Sequence, residues 1–567
     1  MRANALALRI KGLSSMAAML ALVTSCSFET SSDRSKVASP PPPPPPSSAP
    51  APRDSVAREQ RSAPAMGGGL SRPYPMPPYY PRPPVIPPST DRFPDKEPAG
   101  VLSVAEHPVS TFSVDVDTAS YAFVRRNLTS GRLPAREAVR VEEMINYFPY
   151  NYPAPKNRGE PFRVTTTVMP SPWSRDNRLM HIAIRGYDIE RSERPRANIV
   201  LLVDTSGSMA PADRLPLLQQ GFRLFTQQLR DDDQVAIVTY AGQAHTALEP
   251  TSGRDRHKII DVIDNLRASG STAGGDGLRR AYRLAERHFD REAVNRVILA
   301  TDGDFNVGIT DPKELERFIA DKRKTGIYLS ILGVGTGNLN DALMQCLAQA
   351  GNGNAAHIDS LLEARKVLSE EMASTLFTIA DDVKVRVEFN PAQVAEYRLI
   401  GYETRMLRRE DFKDDKVDAG DIGAGHTVAA IYEITPVDAR ERRIDPLRYQ
   451  REKESNVPSS TRRDELAFVK LRYKLPGEST SRLIERPVRE ADAFANFERA
   501  PEDQRFSVAV AAFAQRLRGE SAPDRMTYGE IATMANEARG RDPEGYRAEF
   551  VRLVRMAETL GATARLR

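Results

Sequence analysis

Cysteine is nearly absent from this chain: Cys26 and Cys346 are the only two in 567 residues. The fold must therefore rest on a packed core and not on cross-links. Past the first 25 residues no run of 18 apolar residues occurs, so no later segment reads as a membrane span. An excess of one charge is missing too. The formal net charge is +4, and three of the basic residues, Arg2, Arg9 and Lys11, fall at the very start. The remainder is close to neutral and carries no electrostatic footprint for nucleic acid. The seven histidines are scattered, with no two standing three or four apart, which gives a helical zinc site no support. His245, His357 and His426 lie in or beside expected strands and read as structural. There is no Gly-Lys-Ser/Thr phosphate loop and no Gly-x-Ser-x-Gly elbow. Gly333–Asp341, "GVGTGNLND", lacks the full dinucleotide-loop spacing and follows a late strand, so it reads as a tight strand-to-helix turn.

What is present begins with a basic leader and the apolar run "LSSMAAMLALV", Leu13–Val23. This is signal-peptide length and too short to span a bilayer. Val23-Thr24-Ser25-Cys26 resembles a bacterial lipobox, which implies cleavage before Cys26 and lipidation of its thiol. Cys346 then has no partner and reads as a buried structural thiol. Ser27 is not an aspartate, and by the usual lipoprotein sorting rule that points to the outer membrane if the organism has two membranes. Residues 26–100 read as a tether: 21 of the chain's 43 prolines lie there, a composition that favours extended polyproline II and cannot bury a core.

Residues 101–195 begin the folded part. They predict a short strand, a helix from about Thr118 to Leu128, a second helix in "REAVRVEEMINYFPYNYP" ended by Pro149 and Pro153, and two alternating strands. From 196 to 378 strands and helices alternate. "NIVLLVD", "QVAIVTYA", "RVILATDG", "IYLSILGVG" and "AAHID" are apolar without polar alternation. Strands of that kind are buried on both faces, so this segment is an α/β fold, a doubly wound and mostly parallel sheet. The last helical period is "LLEARKVLSEEMASTL". Residues 379–567 read as a separate domain, first β-rich and then helical.

In such a sheet, ligands bind beyond the carboxyl ends of the strands. Three segments bring oxygen-bearing side chains there: Asp204, Ser206 and Ser208 after the first strand, Thr272 in the Gly-rich loop "SGSTAGGDGL", and Asp302 after "RVILA". Two carboxylates with hydroxyls, and no Cys or His, suit a hard cation such as Mg2+, with Mn2+ able to substitute. Asp276 and Asp304 lie nearby in sequence and read as solvated turn residues, the alternative being groups that support the ligands from behind. "VDVDTAS", Val114–Ser120, has the look of a phosphatase aspartate pair but places Ala119 where a Thr or Val is wanted. Asp115 or Asp117 is therefore expected to cap the following helix.

The order Asp-x-Ser-x-Ser, Thr, Asp resembles the von Willebrand factor type A (VWA) domain and its metal-ion-dependent adhesion site. The resemblance covers roughly 196–376, and the flanks resemble those of bacterial lipoproteins that carry this domain. It implies that Asp204, Ser206, Ser208, Thr272 and Asp302 hold the metal and that a partner's carboxylate completes the shell. The expected protein is a lipid-anchored envelope binding module. The alternatives are a Mg2+-dependent enzyme using the same metal as a Lewis acid, or a purely structural metal. No positioned base or nucleophile is visible beside the site, so the expectation is not an enzyme.

Overall fold

The computed structural model describes residues 91–565, apart from 94–95, 116, 157–158, 191, 271–273, 304–310, 338, 372–375, 416, 418, 446–463 and 522–524. The leader, Cys26 and the tether up to residue 90 lie outside the described residues. The chain enters through β1 (Leu102–Ser103), β2 (Val109–Ser113), α1 (Ala119–Thr129), α2 (Val141–Asn146), β3 (Phe162–Pro170) and β4 (Arg178–Gly186). The expected long second helix is thus only six residues. Its predicted first turn is diverted, because the Arg140 amide donates to Ser120 Oγ at 2.9 Å and Ser120 Oγ donates to the Ala138 carbonyl at 2.6 Å. The tether also ends earlier than expected. Asp91 accepts from the amides of Gly337 and Leu339, and Phe93 packs edge-on against Phe123.

Next comes β5 (Arg196–Asp204), α3 (Leu215–Gln228), β6 (Gln234–Tyr240), β7 (Ala244–Ser252), α4 (Arg256–Asp264), α5 (Gly274–Arg287), β8 (Ala293–Thr301), α6 (Pro312–Lys324), β9 (Ile327–Val334), α7 (Asp341–Ala350), β10 (Ala355–Ile358) and α8 (Leu361–Arg365). The sheet order is β10-β9-β8-β5-β6-β7, parallel except for β7, which pairs antiparallel with β6. Alternate residues of β5 feed two cores. Ile199, Leu201 and Val203 join Phe222 and Phe225 of α3, while Val200 and Leu202 join Tyr282 of α5 and Ile319 of α6. Burial on both faces is why the strand reads as an unbroken apolar run, each such side chain contributing about 1.5–3 kcal/mol. The last predicted helix is broken: α8 stops at Arg365 and a π-turn, Lys366–Glu370, follows.

The chain ends with β11 (Thr378–Phe389), β12 (Val394–Leu399), β13 (Gly420–Gly423), β14 (Thr427–Pro436), β15 (Glu465–Lys474), β16 (Arg482–Arg489), α9 (Glu502–Arg518), α10 (Tyr528–Glu537) and α11 (Tyr546–Arg565). These strands do not form a domain of their own. One sheet runs β1-β12-β14-β4-β3, and the other joins β2 to β11, β13, β15 and β16. Arg185 stands opposite Thr427, and Ser113 opposite Lys384. The segments read as 101–195 and 379–567 are therefore two halves of one platform, with the parallel-sheet segment inserted between them. Phe148 of the first half packs on Phe506 and Phe550 of the second. No helix among the described residues is long and apolar enough to cross a membrane.

Buried ions tie the inserted segment to the platform. Arg125 of α1 is 4% exposed. It donates to Asp359, to Glu363 at 2.7 Å, to the Tyr147 hydroxyl at 3.0 Å and to Glu549 at 3.1 Å. Arg140 pairs with Glu143 and with Asp341 at 2.9 Å. Arg405 donates to Asp115 and Asp117, each at 2.8 Å, and Asp117 also accepts from the Ala355 amide. Neither aspartate caps α1, whose N-cap is Thr118 with no side-chain bond. The guanidinium outcompetes a single helix-end amide as a partner for the buried carboxylates.

Candidate metal centre

Asp204 is the last residue of β5, and Asp302 follows β8 directly. The two strands are parallel neighbours, with Val203 opposite Ala300. Register alone therefore delivers both carboxylates to the same edge of the sheet. Both residues are fully buried, Ser206 is 1% exposed, and Ser208 is open to solvent. The Ser206 amide donates to Asp204 Oδ1 at 2.8 Å, and the hydroxyls of Ser206 and Ser208 stand 3.0 Å apart. Three residues with side-chain oxygens thus gather at the end of β5, with the fourth, Asp302, just past the end of the adjacent strand β8.

The loop that leads to Thr272 is stitched onto this turn. Ser269 donates its amide to the Thr205 carbonyl at 2.8 Å, and Gly207 donates to the Gly270 carbonyl at 2.9 Å. Gly270 sits at φ +82°, the left-handed region that favours glycine, and this turns the chain toward α5. Thr272 itself and Asp304 lie outside the described residues. Asp276 falls in the first turn of α5 and not in a free turn.

Burial pushes the Asp204 carboxyl up to about 6, and the charge of Asp302 adds to the rise, while hydrogen bonds from Ser206 oppose it. The ionised form is thus disfavoured by about 3 kcal/mol relative to water. Two like charges held together out of solvent, beside hydroxyl oxygens and with an opening at Ser208, are the donor set a hard divalent cation would stabilise. The residues present fit such an ion. Among the described residues no cluster of three or more His, Cys, Asp or Glu that could hold a metal occurs, and this centre offers two carboxylates.

Three neighbours carried no sequence signal. Thr301 Oγ1 lies 3.5 Å from Asp204 Oδ2. Tyr240, opposite Asp204 in register, buries its hydroxyl beside Asp204 and Thr301 without a well-formed hydrogen bond, and burial drives its ionisation far up. Arg214, just before α3, pairs with Asp302 through Nη1, which also donates to the Ser208 carbonyl at 2.8 Å, while Nη2 donates to the Thr336 carbonyl at 3.0 Å.

Three family models match parts of this chain. The von Willebrand factor type A domain model matches residues 198–370, a von Willebrand factor model matches 87–181, and the model "Uncharacterized protein YfbK, C-terminal" matches 374–560. The uncharacterized protein YfbK of Escherichia coli K12 is 45% identical over 477 residues, covering 83% of this chain and 82% of that protein. Among solved structures, a von Willebrand factor type A protein from Catenulispora acidiphila is 16% identical with a TM-score of 0.38, covering 67% of this chain and 87% of that one. Proximal thread matrix protein 1 of the mussel byssus, described with a zinc-occupied MIDAS motif, is 27% identical with a TM-score of 0.27, covering 33% of this chain and 46% of that one. With a VWA domain set into a platform whose C-terminal part matches the YfbK model, this chain belongs to the YfbK family.

Proposed function

We propose that this protein is a lipid-anchored binding module of the cell envelope, which holds Mg2+ or Mn2+ at its VWA domain and through it grips an acidic group on a partner protein. The observation that carries the reading is the pair of buried carboxylates, Asp204 and Asp302, set beside the hydroxyls of Ser206 and Ser208 and open to solvent at Ser208. Asp204 and Asp302 would supply the charge, and Ser206, Ser208 and Thr272 neutral oxygens. When bound, the metal supplies a coordination position that a carboxylate can fill. Two acidic side chains balance the charge of a divalent ion, and the Arg214 guanidinium beside Asp302 leaves the filled centre one net positive charge for an anionic partner.

Two of the described neighbours of these ligands favour binding over catalysis. Arg214 is a guanidinium that keeps its proton at any ordinary pH. Tyr240 is a phenol whose burial holds its proton. Neither is fit to act as a general base. Anchoring rests on Cys26 after the apolar leader, with the outer membrane as the destination in a two-membraned cell; replacing Cys26 with Ser is expected to release the chain from the membrane fraction.

Calorimetric titration of Mg2+ and Mn2+ into the full-length chain tests the metal. Saturable binding is expected in the natural chain and not in Asp204→Ala, with both showing the same circular dichroism. Equal binding by the two, or none by either, would remove the basis for the reading.

A further inference from the structure

Arg214 does more than line the centre. Its side chain is 13% exposed and Asp302 is fully enclosed. Nη1 spends its protons on the Asp302 carboxylate and the Ser208 carbonyl, and Nη2 reaches across to Thr336, in the turn after β9. Gly335 makes room for this. Its φ is +76°, and a Cβ there would stand 2.4 Å from Arg214 Nε and 2.8 Å from Cγ. The Nε edge is buried against this glycine without a hydrogen-bond partner. That geometry leaves no free fork with which to grip an incoming carboxylate. It points the cationic end inward, at a proposed metal ligand.

We infer that Arg214 is a built-in cation that shares Asp302 with the divalent ion and holds the affinity of the centre down. The inference rests on the metal reading above and adds the residue that sets its strength. A positive charge on Asp302 neutralises half of the carboxylate charge available to the metal, and in a partly buried site that charge is poorly screened. An arginine is suited to the task, because a planar guanidinium bridges a carboxylate and two carbonyls at once and does not titrate. The centre would then fill and empty over a range of metal concentration, and its filling would be felt at the Gly335–Thr336 turn.

The test is Mn2+ titration of the full-length chain, its Arg214→Gln variant and its Arg214→Lys variant, followed by calorimetry and by the paramagnetic resonance of free Mn2+. Arg214→Gln is expected to bind Mn2+ about tenfold more tightly, as loss of a nearby unit charge at intermediate dielectric implies. Arg214→Lys, which keeps the charge but not the planar fork, is expected to bind Mn2+ less tightly than Arg214→Gln. A second readout separates charge from folding. Without metal, Arg214→Gln is expected to melt lower, because Asp302 loses its counter-ion, and saturating Mn2+ is expected to raise its melting temperature by more than it raises that of the natural chain. Equal or weaker binding by Arg214→Gln, with Mn2+ still bound by the natural chain, would overturn the role of Arg214 and leave the metal centre standing. No binding by any of the three would overturn both.

Discussion

Asp204 and Asp302 at the edge of the parallel sheet, and Asp115 and Asp117 ahead of α1, are both acid pairs gathered at strand ends. Their surroundings differ. Asp115 and Asp117 share the single guanidinium of Arg405, and Asp117 takes a backbone amide as well. Asp117 is enclosed. Among the described residues around Asp204, the hydroxyls of Ser206 and Ser208 stand together, Ser208 is open to water, and the guanidinium of Arg214 is held by the other aspartate. Acids matched by arginine inside a fold hold elements together. At the sheet edge only Asp302 meets a guanidinium, and Asp204 faces neutral oxygens with a way out to solvent, an arrangement with room for a further cation.

The sharpest way to break this comparison is Arg405→Ala. It strands two carboxylates between platform and sheet, and about 3–5 kcal/mol of stability should be lost in denaturant titration. Mn2+ affinity should remain within about twofold, since the residue belongs to the structural pair and not to the centre. A collapse in affinity at unchanged fold would merge the two sites into one.

Next in size is a pH effect at Glu142, buried on α2 of the platform. Burial pushes its carboxyl up to about 7, and the charges of Glu403 and Glu143 add to the rise. Its Oε2 has no hydrogen-bond partner. The folded chain therefore keeps a proton that the unfolded chain gives up near 4.5. The folded state is favoured most below that value, and this group should cost up to about 3 kcal/mol as pH rises through 7. Glu142→Gln should remove that fall, which urea titrations of both chains at pH 5 and pH 8 would show. An unchanged difference between the two pH values would mean that Glu142 is already ionised in the fold.

The smallest effect is expected at Gly335. Alanine there must adopt a left-handed conformation and displace Arg214, for about 1–2 kcal/mol of stability. By loosening the arginine from Asp302 it should also tighten Mn2+ binding. Weaker binding would show that Arg214 orients Asp302 instead of competing for it.

The parallel strands were legible because residues buried on both faces must all be apolar, as Ile199–Val203 are. β7 was not. It is an edge strand, half exposed and interrupted by Pro250, so "AHTALEPTS" shows neither an apolar run nor clean alternation. The shared platform was hidden for a different reason: pairing between Arg185 and Thr427 leaves no trace in either local pattern. At the centre, Asp204, Ser206, Ser208 and Asp302 announce themselves by spacing and by their place after strands. Arg214 sits in "PADRL", an ordinary surface turn, and only the fold brings it to Asp302.

That platform has a consequence for how the chain is made. β4 has one neighbour at hand, β3, but its other, β14, is among the later strands to emerge during synthesis. The inserted sheet contains all of its own strands and can close first. Until β12 and β14 arrive, β1 and the open side of β4 stay unpaired, an edge that invites association between nascent chains. Slowing release of residues 427–436 should therefore increase aggregation of the protein without altering the stability of the finished fold.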